Sequence, residues 1–227
     1  MSAEFDRAIE PLRANLLALL DASRGIAEGH GRIATADSPA MNELSKEGRY
    51  RGEWGQRPVG SAHDWAGVLI VGAESQLRTM CRIVVGEPSI FGPQSLARSG
   101  LEMAGRSYWL TEPGIGVERR IGRYETERLY NAYQLRRLTG DNTTATHAEK
   151  TITQTAKALG LHLVQGKNYY HTHVMDVRPG GSKVFKALLQ DQKAKELGET
   201  MFSYLSAVDH GTIYGLTLTD RAHGGQR

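Results

Sequence analysis

The chain has 227 residues, of which 40% are hydrophobic and 23% charged, a balance that excludes a disordered chain or a continuous coiled coil and allows a sizeable core. Its net charge of +3 comes from 28 basic against 25 acidic side chains, a small excess that neither requires nor excludes a polyanionic partner. With no stretch that reads as an interdomain linker, the expectation is one all-α domain over residues 1–227, a bundle of about six to seven helices with at most a minor two-stranded ribbon.

Phe5, Ile9, Leu12, Leu16, Leu19 and Leu20 recur at three- and four-residue steps, the stripe of an amphipathic helix running to about Glu28. Acidic residues precede those apolar ones and no basic region or small-residue cleavage site is present, so this helix is not a secretory signal. From 29 to 60 the pattern dissolves into Gly, Pro, Ser and charge, including "GRYRGEWGQRPVG", and reads as a long loop, lid or arm. Ser61 with Asp64 resembles a capping box, and the apolar content from Trp65 to Val85 makes a largely buried helix. The lone cysteine, Cys81, sits in that helix as a small buried hydrophobe and cannot form an intrachain disulfide. Together with apolar runs too short to cross a bilayer, this leads to the expectation of a cytoplasmic protein without membrane association.

Pro93 to Leu110 is the next helix, opened by a first-turn proline and closed by Pro113-Gly114. Val117, Ile121, Tyr124, Ala132, Leu135 and Leu138 mark a fourth, stopped by "TGDN". Its arginines, Arg119, Arg120, Arg123, Arg128, Arg136 and Arg137, alternate with tyrosines as on a nucleic-acid face, but Glu118, Glu125 and Glu127 break up the charge, and a solvated, salt-bridged helix is the expected use. Thr143 to Leu159 reads as a polar fifth helix closed by Gly160. "LHLVQ" and "YYHTHV" are candidate short strands within 161–176. His171 and His173 share one side of the second, where Asp176 is a conceivable third metal ligand, but no spacing specifies it and no metal or cofactor is expected. "VRPGGSKVF" offers backbone N–H groups and a lysine before a helix, without the spacing of a phosphate-binding P-loop.

Helical pattern returns from Lys183 to about Leu218, before a C-terminal tail over 219–227. Between Met201 and Leu218 the only formal charge is Asp209, beside His210, and apolar residues lie all round the helix, which marks it as central. Buried carboxylate and imidazole need partners. Arg98, Glu102 and Arg106 stand at i, i+4 and i+8 with Trp109 near the same azimuth, and a ladder of that kind facing the last helix would set the pKa and tautomer of His210. The plainer reading is a solvated ion-pair row and a satisfied core histidine. The sharper one is a pocket for a small-molecule ligand with metal-free acid–base chemistry of unspecified reaction: His210 as proton carrier, Asp209 or Glu102 as its orienter, Arg98 and Arg106 as an anion clamp, and Trp109, Tyr204 and Tyr214 as walls.

"ARSGLEMAGRSYWL" and "YLSAVDHG" together resemble helices of bacterial helical proteins of unknown function related to HEPN domains. The resemblance implies an all-helical bundle, a homodimer and polar residues gathered near the last helix. Ribonucleases of that group carry an arginine four to six residues before the histidine, where this chain has Tyr204, Leu205 and Ser206. The alternative it implies is therefore a non-cleaving module that binds RNA or a nucleotide.

Overall fold

The computed structural model of the chain describes residues 3–30, 36–52, 54–83, 92–140, 142–165, 172–179, 183, 200, 201, 203, 205 and 206. Among them the fold is all-α, with seven helices and one two-stranded ribbon. The helices are α1 (Ala3–His30), α2 (Pro39–Leu44), α3 (Glu47–Tyr50), α4 (Pro58–Ile83), α5 (Gly92–Thr111), α6 (Val117–Thr139) and α7 (Asn142–Ala158); the strands are β1 (Leu163–Gln165) and β2 (Thr172–Val174). No described helix is long and apolar enough to cross a membrane.

Chain contacts divide the protein into two compact units, one of residues 1–34, 68–107 and 180–227, the other of residues 35–67 and 108–179. In the first unit α4 and α5 approach closely through small residues. A Cβ placed on Gly100 would lie 2.9 Å from Leu77 Cγ and 3.2 Å from the Ala73 carbonyl, and one on Gly72 would meet Met103 Sδ at 2.9 Å. On another side of α4, Arg78 holds Glu74 and Asp21 of α1, each at 2.8 Å. Cys81 is buried here, and burial pushes its thiol pKa up, so it is the inert apolar residue that the sequence implies.

The second unit is built round α6. Its apolar core joins Trp54, Val59, Val117, Ile121, Leu129, Ile152, Ala156 and Val174, drawn from the 35–67 segment, α6, α7 and β2. The ribbon is antiparallel and pairs Leu163 with Val174, Val164 with His173 and Gln165 with Thr172, as the alternating "LHLVQ" and "YYHTHV" segments suggest. β2 comes close to α6 because residue 122 is glycine: a Cβ there would meet the Val174 carbonyl at 3.0 Å. The contact is pinned by the Val174 N–H, which donates to Thr126 Oγ1 at 2.9 Å.

Two sequence expectations change. The 29–60 stretch is not simply loop, since from 36 onward it folds into α2 and α3, helices of six and four residues that are too short to show a periodicity. α4 begins at Pro58 rather than at the Ser61 capping box. Its first turn is capped from a distance by Glu47 of α3, whose carboxylate accepts from the Val59 N–H at 3.0 Å and the Gly60 N–H at 2.7 Å. A carboxylate there also complements the positive end of the helix dipole.

Candidate functional site

The larger correction concerns α6, which the charge alternation assigns to solvent. Arg120 and Arg123 are 5% exposed, and Glu125 and Glu127 are fully buried. Each is matched. Arg120 donates to Glu43 of α2 through Nε at 2.6 Å and Nη2 at 3.0 Å and reaches the carbonyls of Leu110 and Glu112. Arg123 donates to the Trp109 carbonyl, to Glu112 at 2.7 Å and to Asp176 at 2.7 Å, and its guanidinium lies 5.1 Å over the Trp109 ring. Arg119 grips both oxygens of the same Asp176 carboxylate with two bonds of 2.6 Å. The two buried arginines thus satisfy the last carbonyls of α5 with cations, which the negative end of that helix favours.

Charge pairing also governs the titration of these groups. Burial pushes the Glu43 carboxyl up, but the bonds and charge of Arg120, with those of His63 at 3.1 Å, outweigh it and hold the group below its ordinary value. Hydrogen bonds from Arg119 and Arg123 likewise hold Asp176 low against its burial. Glu125 is the opposite case: burial raises it to about 7, and its Arg128 partner only partly compensates. On the β2 side, Arg178 donates to Glu127 at 2.8 Å and stacks 3.8 Å over the Tyr130 ring, while its backbone N–H donates to His173 Nδ1 at 3.3 Å. His173 is therefore a buried, engaged histidine, and Asp176, the conceivable third ligand of a metal, is committed to two arginines; His171 lies outside the described residues.

Within the second unit these pairs tie α2, the last turn of α5, α6 and the segment after β2 together and leave little of α6's charge for a ligand. The opening lies beside them. Arg49, Tyr50, Trp54, Glu118, Ile121, Leu159 and Leu161 line a cleft of about 110 Å³ within the second unit. Its lining is made locally. Gly52 and Gly55, with φ of +105° and +95°, close a tight turn through the Gly52 N–H to Gly55 carbonyl bond of 2.8 Å, a backbone that side-chain-bearing residues adopt at a cost. That turn tips Trp54 into the core, where it is 7% exposed. α3 sets Arg49 and Tyr50 on the rim, and the Tyr50 hydroxyl donates to Glu118 Oε1, in the first turn of α6, at 3.3 Å. Burial, then the charge of Glu118, raises the Tyr50 pKa, so the phenol stays protonated. Among the described residues Arg49 has no carboxylate partner, whereas Arg119, Arg120, Arg123 and Arg128 all have one.

The residues singled out by sequence are distributed differently. Arg98 and Glu102 line an open, polar depression of the first unit with Gln76, Ser95, Leu96 and Ser99, and Arg106 continues that face of α5. Trp109 is buried beneath Arg123 in the second unit. Tyr204, Asp209, His210 and Tyr214 lie outside the described residues, as do the glycines of "VRPGGSKVF" and the 219–227 tail. Arg49, Tyr50, Trp54 and Glu118 were not candidates by motif. Their signal was a tyrosine and a tryptophan four residues apart inside a glycine-rich polar segment, which a solvated loop has no use for. No known protein family, no curated protein and no solved structure matches this chain.

Proposed function

We propose that the protein binds a small organic molecule, and that the cleft between α3, α6 and the 159–161 segment is the binding site. The observation that carries this is the lining: an apolar floor of Trp54, Ile121, Leu159 and Leu161 under a polar rim of Arg49, Tyr50 and Glu118, the division of labour found in ligand pockets. Size restricts the ligand. A cleft of about 110 Å³ is well below the roughly 300 Å³ at which drug-sized and nucleotide sites begin, and close to the roughly 150 Å³ apolar cavity that accepts benzene. The ligand is thus a compact metabolite-sized molecule with one apolar segment. The described lining pairs the Tyr50 hydroxyl with the Glu118 carboxylate, and the raised pKa of that phenol keeps it protonated, which favours recognition as the chemistry of the cleft.

Ligand-observed NMR with a library of compounds no larger than an indole tests the reading. Compounds that bind the wild type should lose their saturation-transfer signal in Leu161→Trp, which fills the cleft, and in the more exposed Leu159→Trp. Unchanged signals in both folded variants would remove the cleft from consideration.

A further inference from the structure

Resting on that reading of the cleft, we infer that its ligand is a small zwitterion, a carboxylate and an ammonium group on a short branched aliphatic stem. The rim holds charges of both signs. Arg49 presents a guanidinium without a carboxylate partner among the described residues, and Glu118 presents a carboxylate of which only Oε1 accepts a hydrogen bond there, from the Tyr50 hydroxyl. A purely anionic ligand would meet Glu118 as well as Arg49, and a purely cationic one would meet Arg49 as well as Glu118. A molecule bearing both charges pairs each with its complement: guanidinium to carboxylate with two parallel N–H donors, and ammonium to the open Oε2 of Glu118.

The floor sets the remaining part. Ile121 is 1% and Trp54 7% exposed, and with Leu159 and Leu161 they offer only hydrocarbon and ring surface to the stem. The volume admits a branched aliphatic group of a few carbons and excludes a long chain or a second ring system. Tyr50 occupies the junction. Its hydroxyl fixes one Glu118 oxygen, and its side chain packs against the apolar core.

The test is isothermal titration calorimetry with three probes of one shape: L-leucine, 4-methylpentanoate, which lacks the amine, and 3-methylbutylamine, which lacks the carboxylate. Leucine should bind at least about tenfold more tightly than either fragment. Arg49→Ala should bring leucine to the level of 3-methylbutylamine, and Glu118→Gln should bring it to the level of 4-methylpentanoate. Both side chains are surface-accessible, so folding is not at stake. If either single-charge probe binds as tightly as leucine and Leu161→Trp abolishes that binding, the cleft stands and the zwitterion falls. If no probe binds, the zwitterion falls and the cleft is judged by the compound library alone; if Leu161→Trp leaves binding of all three unchanged, both readings fall together.

Discussion

Replacing Arg120 by methionine tests whether the buried charges of α6 hold the second unit together. The substitution keeps the aliphatic stem and removes two charge-assisted bonds to Glu43, at about 1.5 kcal/mol each, and donors to the carbonyls of Leu110 and Glu112, at about 1 kcal/mol each. The Glu43 side chain is 14% exposed, so water recovers part of its loss, and the expected cost is about 3–5 kcal/mol, the usual result of breaking a buried pair from one side. All three tryptophans, Trp54, Trp65 and Trp109, belong to the second unit, so their fluorescence follows that unit during urea unfolding. With a urea dependence of about 2 kcal/mol per molar, the midpoint should fall by about 1.5–2.5 M. The Arg120→Met, Glu43→Leu double variant should recover at least half, because it leaves no unpaired buried carboxylate. The deficit should also depend on pH. Glu43 is held below its ordinary 4.5, so its contribution is present above that value and is lost as pH falls through the folded-state pKa; the difference between wild type and Arg120→Met should therefore shrink in acid. A single variant that costs less than about 1 kcal/mol at neutral pH, or a double variant no better than the single, would refute the reasoning.

Glu125 gives the opposite pH signature. Its folded-state value of about 7 lies above the ordinary 4.5, so the folded state binds a proton that the unfolded chain releases; wild-type stability should decline from pH 4.5 to 7 by about 3 kcal/mol, and Glu125→Gln, which stays neutral, should flatten that decline in the same urea assay. In the first unit, Gly100→Ala introduces a methyl 3.2 Å from a backbone carbonyl and 2.9 Å from Leu77 Cγ; overpacking at about 1–3 kcal/mol should outweigh the roughly 1 kcal/mol of helix propensity gained. Its far-UV melting temperature should therefore fall, and a rise would show that α4 and α5 have room to separate.

Helices were legible wherever their signals are local. α5 starts one residue before Pro93 and ends two before Pro113, α7 ends two before Gly160, and α6 is capped by Gly140 in the left-handed conformation. What escaped was long-range. The start of α4 depends on Glu47, more than ten positions earlier, and α6 looks like a surface helix because its partners Glu43, Asp176 and Arg178 are invisible to any window that contains it. For the same reason the cleft was not legible: Arg98 and Glu102 line a different depression, in the first unit, and the cleft takes its rim from a segment whose two short helices have no periodicity to read.

The distances along the chain at which α6 finds its partners bear on how the second unit folds. Arg120 pairs across 77 positions, Arg123 across 53 and Glu127 across 51. Each loop must close before its ion pair forms, so a half-assembled unit carries buried charge without compensation and is less stable than either end state. A fragment ending before Asp176 leaves Arg123 with Glu112 and the Trp109 carbonyl alone, and one beginning after Glu43 removes the carboxylate of Arg120. Cooperative assembly of the unit is the expected outcome, completed only once the chain has reached Asp176 and Arg178.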